Sequence, residues 1–317
     1  MSDILEELVG LSHFVGDPRR DYAILGEGNT SAKVDEETFY IKASGQTLET
    51  ISAEGFCKVR FNRVLPYFDK PDVTDSEVRE ALLKSKVDDA SPIMPSVETF
   101  FHAYLLSLPG IRFIAHTHPI AVNSILCSKF AKEAISGRLF PDEIVCCGVA
   151  PCFVEYVDPG MPLSKCIKQR VEEYIEEYDE LPKVILMQNH GLIAVGKSVK
   201  DCRTITEMYV KTARVILGTY ALGGPNFMTP ENVSRIHTRP DERPAHPARQ
   251  HGFSQVLGHA PDRLRRLRRI RHILRRQDHH QAVGVLILGH DLQRPRIARR
   301  VRIPQHIHGV VARPGRR

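Results

Sequence analysis

With 317 residues, 42% of them hydrophobic, the chain has apolar material for one large domain or two ordinary ones, and no apolar run reaches the ~18 residues of a membrane span. The net charge of +6 is a composite: residues 243–317 hold 18 Arg, no Lys and 3 Asp, about +15, while residues 1–242 carry about −9, so a basic-protein argument for nucleic-acid binding applies only to the tail. Seven irregularly spaced cysteines without a C-x-x-C pair argue against a zinc knuckle or a disulfide framework, and the acidic, amphipathic start "MSDILEELVGLSHF" does not read as a secretory signal, so reduced thiols in a cytoplasmic protein are expected.

Residues 2–14 have helical spacing. The loop "GEGNTSAK", 26–33, is built of small residues that could present backbone N–H groups to an anion. It fails as a dinucleotide fingerprint, because Ser31 stands where the third glycine is needed. "AKVDEETFYIKAS" predicts a hairpin, with strands over 32–34 and 39–43 about a turn at Asp35–Glu36. Residues 74–86 have a Thr/Asp cap, early acids and late lysines, the signals of a helix. "PSVETFFHAYLLSL" predicts a helix from Ser96, with Glu98 one turn in, where an acid is by default only a partner of the helix dipole. A strand is expected over 111–118, a helix over 119–129 and one or two strands over 143–156. Pro159–Gly160 opens a further helix. "KVILMQNHGLIAVG", 183–196, reads as two buried strands joined by a polar turn, and 199–218 as a final long helix. Helices layered on a mixed sheet are the expected architecture.

The stretch "IRFIAHTHP", 111–119, carries the first chemical signal. Side chains alternate along a strand, so His116 and His118 point to the same face, about 6–7 Å apart along the chain, and can close on one metal ion. The bland alternative is a pair of strand-end histidines that hydrogen-bond at the surface. His190, in the "QNHG" turn, is by itself an ordinary turn residue, although Gly191 after it permits close backbone approach or a positive φ.

In combination these stretches are specific. The succession Gly26–Ser31, Ser44–Gly45, Pro95–Glu98, His116–Pro119 and Asn189–Gly191 resembles the class II aldolase/adducin family in order and spacing across roughly residues 1–220. "VEYVDPGMPLSKCI" also looks like a segment of that family. The resemblance implies a three-layer α/β/α fold with a central, mostly antiparallel or mixed sheet, and a homotetramer. It implies a divalent metal, commonly Zn²⁺ and otherwise Mn²⁺, Co²⁺ or Fe²⁺, in service of reversible aldol cleavage of a small phosphorylated ketose. By resemblance, His116, His118 and His190 are the imidazole ligands, and three protein ligands with an open position mark a catalytic zinc. Glu98 matches the carboxylate that can bind the empty metal and then shuttle the substrate proton. Breaking the carbon–carbon bond beyond a ketone leaves an enediolate, whose charge a chelated Lewis acid would neutralise.

Asn29, Ser44, Gly45 and Ser96 match positions that hold a substrate phosphate. Val97 stands where sugar-phosphate aldolases of this type often have a second serine, which removes one donor. The likeness is greatest to the branch with rhamnulose- and fuculose-phosphate aldolases. An epimerase, a dehydratase or a decarboxylase of the same fold, or a non-catalytic adducin-like scaffold, are the alternatives. The expected organisation is a catalytic domain over 1–225, a family-like extension over 226–242 and an Arg-rich tail over 243–317. In that tail "RLRRLRRIRHILRR", 263–276, has apolar residues at 264, 267, 270, 273 and 274, one stripe of a very basic helix that could meet nucleic acid or an anionic membrane. A disordered extension, or coding sequence read out of frame, would give the same composition.

Overall fold

A computed structural model describes residues 3–239 of the chain. The expectations for the tail from residue 243, including the basic helix, lie outside the described residues. In chain order the elements are α1 (Asp3–Val15), β1 (Asn29–Lys33), β2 (Thr38–Lys42), β3 (Phe56–Arg60), α2 (Phe61–Val64), α3 (Asp75–Ser85), α4 (Thr99–Ser107), β4 (Phe113–Thr117), α5 (Ile120–Leu126), α6 (Ala131–Ala134), α7 (Pro141–Cys147), β5 (Cys152–Val154), α8 (Met161–Tyr178), β6 (Val184–Met187), β7 (Gly191–Gly196), α9 (Val199–Tyr220) and α10 (Pro230–His237). Two of the longer helices begin with complete capping boxes, Thr74 with Glu77 for α3 and Ser198 with Asp201 for α9. Each satisfies backbone donors that the first turn leaves without partners.

The strands form one sheet in the order β3-β2-β1-β4-β7-β6-β5. Every neighbouring pair is antiparallel except β5 and β6, which run parallel. Alternation along the strands divides the apolar residues between two cores. Phe39, Ile41, Ile114, Ile185 and Ile193 face α4 and α8 through Phe100, Leu105, Ile167 and Val171. Ala32, Phe113, Leu186, Leu192 and Ala194 face α1, α5 and α9 through Leu8, Leu11, Ile125 and Tyr209. Burying a side chain of this size stabilises by roughly 1.5–3 kcal/mol. The result is the expected three-layer α/β/α arrangement on a mixed sheet.

Several boundaries differ from those read in the sequence. The helix Pro141–Cys147 takes up the start of the 143–156 span where strands were expected, and only Cys152–Val154 is extended there. Proline at the helix start and acids at 142 and 143 compete with the β-prone Ile-Val-Cys-Cys run, and Gly148, at φ 82°, stops the helix. The helix expected over 119–129 ends at Leu126. β1 begins three residues earlier than expected, at Asn29, and β3 had no counterpart in the sequence reading. Cys57, Cys147 and Cys152 form no disulfide. Burial pushes their thiols up, to about 11 for Cys57 and about 12 for the other two, so they are poor nucleophiles. No helix among the described residues is long and apolar enough to cross a membrane.

A buried ion pair fixes α7. Arg138 and Glu143 are each 1% exposed and lie 2.9 Å apart. Arg138 Nε also donates to the Gly148 carbonyl at 2.9 Å, and Glu143 accepts from the Leu139 amide at 2.8 Å, so one pair ties both ends of the helix. Arg138→Ala leaves the carboxylate uncompensated in the core and should cost about 3–5 kcal/mol in urea unfolding. Lys84→Ala, at the exposed Lys84–Glu80 pair, should cost less than about 0.5 kcal/mol.

Candidate metal centre

Strand pairing gathers the site. β4 and β7 place His116 opposite Ile193 and Thr117 opposite Leu192. The turn before β7 therefore sits beside the residue that follows β4, bringing His190 to His118. On the other side of β4, Asn29 of β1 lies opposite His116. The ring centroids of His116, His118 and His190 are 4.7–5.0 Å apart, and one ring nitrogen from each lies within 4.8 Å of the others.

The donor set fits a metal. His116 Nε2 and His118 Nε2 are 3.0 Å apart. Behind them, His116 Nδ1 lies 3.1 Å from the Leu192 carbonyl, and His118 Nδ1 lies 3.7 Å from Glu27 Oε1. With the proton kept on each Nδ1, both Nε2 lone pairs turn toward one point, the arrangement outer partners impose on ligating imidazoles. Three neutral imidazoles suit zinc or another divalent first-row metal.

Glu98 is not one turn into its helix. It is the residue that caps α4, at φ −85° and ψ 3°, and its side chain makes no capping bond. It turns instead toward the histidines, with Oε1 3.2 Å from His190 Nε2 and Oε2 3.5 Å from His116 Nε2. Burial alone would raise its carboxyl, but the two histidines beside it win and hold it well below the usual carboxylate range. Burial would lower His116, yet Glu98 and the Leu192 carbonyl raise it. His118 is pushed down to about 3 by burial and by repulsion from His116 and His190. An anionic carboxylate thus faces a cluster of imidazoles.

Two glycines shape the centre. In the N-H-G turn the positive φ belongs to Asn189, at 55°. Gly191 provides close approach: a Cβ there would lie 2.5 Å from the Thr117 carbonyl and 2.6 Å from the His118 ring. Gly28 has φ +64° and would place a Cβ 2.5 Å from the His116 carbonyl.

The residues matched to a phosphate site divide. The Ser44 amide donates to the Met94 carbonyl at 2.8 Å, the Ser96 amide to the Lys42 carbonyl at 3.3 Å, and Ala43 pairs with Pro95. The S-G and P-S segments are therefore side by side, and Ser44 and Gly45 are exposed. Asn29 is buried, and its amide is committed to Ser96 and Glu98. Val97 is 53% exposed and offers no polar group.

Two residues escaped the sequence reading. Lys42 is buried, with Nζ 3.0 Å from the Gly26 carbonyl and 2.6 Å from the Gln46 carbonyl, so one ammonium holds both small-residue loops. Burial depresses it, and nearby Glu98 partly offsets this. A lysine ending an apolar strand just before S-G was the available signal. His102, one turn beyond Glu98, is fully buried and bonds to Asn29 and Ser31. It stands inside an apolar helix, where nothing in the neighbouring sequence sets it apart from core.

Comparison with known proteins agrees with this geometry. Residues 6–217 match the profile of the Class II Aldolase and Adducin N-terminal domain. The uncharacterized oxidoreductase YuxG of Bacillus subtilis is 30% identical over 220 residues, which cover 67% of this chain and 28% of that much longer protein. A methylthioribulose-1-phosphate dehydratase of the same organism is 24% identical over 194 residues, 60% of this chain and 81% of the relative. Among solved structures, the N-terminal class II aldolase domain of a conserved Thermoplasma acidophilum protein superposes with a TM-score of 0.54 at 28% identity, over 68% of this chain and 94% of that one.

The packing at Gly191 yields a test. Gly191→Ala forces the Thr117 carbonyl or the His118 ring aside, so zinc affinity measured by chelator competition should fall about 10–100-fold. The fold, read by circular dichroism, should persist.

Proposed function

Because the chain belongs to the class II aldolase and adducin family, we propose that it is a metal-dependent lyase that reversibly cleaves a small phosphorylated ketose. The observation that carries this reading is the convergence of His116, His118, His190 and Glu98 on one point. The three histidines would hold Zn²⁺, or Mn²⁺, Co²⁺ or Fe²⁺ in its place. When bound, the metal would act as a Lewis acid on the ketone and hydroxyl oxygens of the substrate, worth several kcal/mol in the transition state.

The chain's own residues supply the rest. As the bond beyond the ketone breaks, its electron pair moves toward the ketone oxygen, and the departing half gives up its hydroxyl proton to solvent water and leaves as an aldehyde. Glu98 moves a proton to and from the carbon left behind. It suits the task because it is an anion poised 3.2 Å from His190 and 3.5 Å from His116. Ser44, Gly45 and Ser96 would receive the phosphate, with Asn29 ordering Ser96 from behind. Lys42 adds positive charge beneath the two loops.

The exposed apolar side chains Ile24, Val97 and Ile120 flank site segments in the chain and support a homotetramer whose subunits meet there. Buried thiols without disulfides suit a cytoplasmic protein. The dehydratase relative supports a second reading, loss of water from a thiosugar phosphate. Proton removal next to the ketone by Glu98 is common to both reactions. Epimerase and decarboxylase readings share the same centre, whereas an adducin-like scaffold would have no use for it.

A panel of phosphorylated ketoses assayed for aldehyde release, and of thiosugar phosphates assayed for dehydration, separates the two reactions. Glu98→Gln keeps the side chain's shape but cannot accept a proton. On whichever substrate turns over, it should lower kcat by at least about 10²-fold while zinc content stays near that of the wild type. Near-normal turnover would make the carboxylate structural.

A further inference from the structure

Behind Glu98 runs a chain of buried polar groups that proton transfer at the carboxylate does not itself require. Asn29 Nδ2 donates to Glu98 Oε2 at 2.5 Å and to Ser96 Oγ at 3.3 Å. Asn29 Oδ1 is bonded to His102 Nε2, and His102 Nδ1 lies 2.6 Å from Ser31 Oγ. Ser31 and His102 are fully buried, and Asn29 is 2% exposed, so water cannot substitute for any link.

The direction of every bond follows from what each group can offer. Glu98 is an anion and only accepts, so Asn29 must turn its NH₂ toward it and its carbonyl toward His102. The His102 ring is fully buried with an amide against one nitrogen and a hydroxyl against the other and no anion bonded to either, so it is neutral and carries one proton. Facing a carbonyl, Nε2 must hold that proton, and Nδ1 then accepts from the Ser31 hydroxyl. If the proton sat on Nδ1, Asn29 could rotate and present its carbonyl to the carboxylate.

We infer that His102 is a positioning residue, which fixes the Asn29 amide with its donor on Glu98 and so holds the carboxylate aimed between His116 and His190. The inference rests on Glu98 serving as the base of the proposed reaction. His102 touches none of the three imidazoles through a hydrogen bond; it acts at one remove, through Asn29. A merely space-filling histidine would need no particular tautomer and would not be coupled to Glu98.

The test uses the full-length zinc-loaded chain and the smallest ketose phosphate, dihydroxyacetone phosphate, whose exchange of a carbon-bound proton with solvent deuterium reads the base alone. Ring ¹⁵N spectra should show His102 neutral and protonated on Nε2. His102→Leu should slow exchange about tenfold or more, the usual effect of removing an outer partner, while zinc affinity by chelator competition stays within about threefold. His102→Gln, which can still donate to Asn29, should return the rate to within about threefold of wild type. In a Glu98→Gln background, His102→Leu should change the residual rate by less than about twofold, because residues acting as a unit are not additive.

A His102→Leu protein that exchanges like the wild type, zinc affinity that falls in step with rate, additive losses in the double variant, or a proton on Nδ1 would each overturn the inference. No exchange by the wild type, or a normal rate in Glu98→Gln, would instead overturn the base reading on which it rests. Should His102→Leu fail to fold, Ser31→Ala takes its place. Without the hydroxyl, the Nδ1-protonated form should become visible in the spectrum and exchange should slow about threefold; an unchanged tautomer with an unchanged rate would count against the inference.

Discussion

The antiparallel pairing of β4 with β7 sets where everything else at the centre must be. With His116 opposite Ile193 and Thr117 opposite Leu192, the residue after one strand and the turn before the other are forced together. A slip of one residue would turn His116 to the opposite core and send His190 away from His118. The register is held by apolar residues with no chemical role, Ile114 and Ile193 on one face and Ala115 and Leu192 on the other. Their burial favours only one alignment. The packing of two ordinary cores thus specifies a polar site.

Electrostatically the centre is a balance that no member could maintain alone. A carboxylate at the end of α4 would take up a proton if burial were its only influence, and it stays charged because two histidines stand beside it. Among the imidazoles, His116 is oriented in turn by a backbone carbonyl and His118 by Glu27. Lys42 is bound by carbonyl oxygens of the two small-residue loops and is near enough to Glu98 to feel its charge.

The sequence revealed the periodic and the punctuated features. Alternation placed His116 and His118 on one face, capping residues announced α3, and glycine marked the turn at 191. It was less informative where two signals of similar strength compete. Pro141, Asp142 and Glu143 favour a helix, while Ile144 to Cys147 favour a strand, and only the packing of α7 against α9 and α10 decides between them. Glu98 was legible as a residue type but not as a cap whose side chain leaves the helix. Lys42 and His102 were hidden for another reason. Their surroundings in the chain are apolar, and the oxygen atoms that justify their burial come from distant segments, Gly26 in one case and Asn29 in the other.

The span between β4 and β7 also gives the centre a place in time. Leu192, whose carbonyl orients His116, lies 76 residues further along the chain. During synthesis the His116–His118 pair is complete long before its third member exists, and bringing β4 and β7 together requires closing a long loop. A chain halted partway has two imidazoles, His116 without its orienting carbonyl, and little hold on any ion. The centre is therefore assembled late, and an occupant that recognises only the finished register would act on the lifetime of the folded protein, slowing its unfolding, more than on the speed with which it forms.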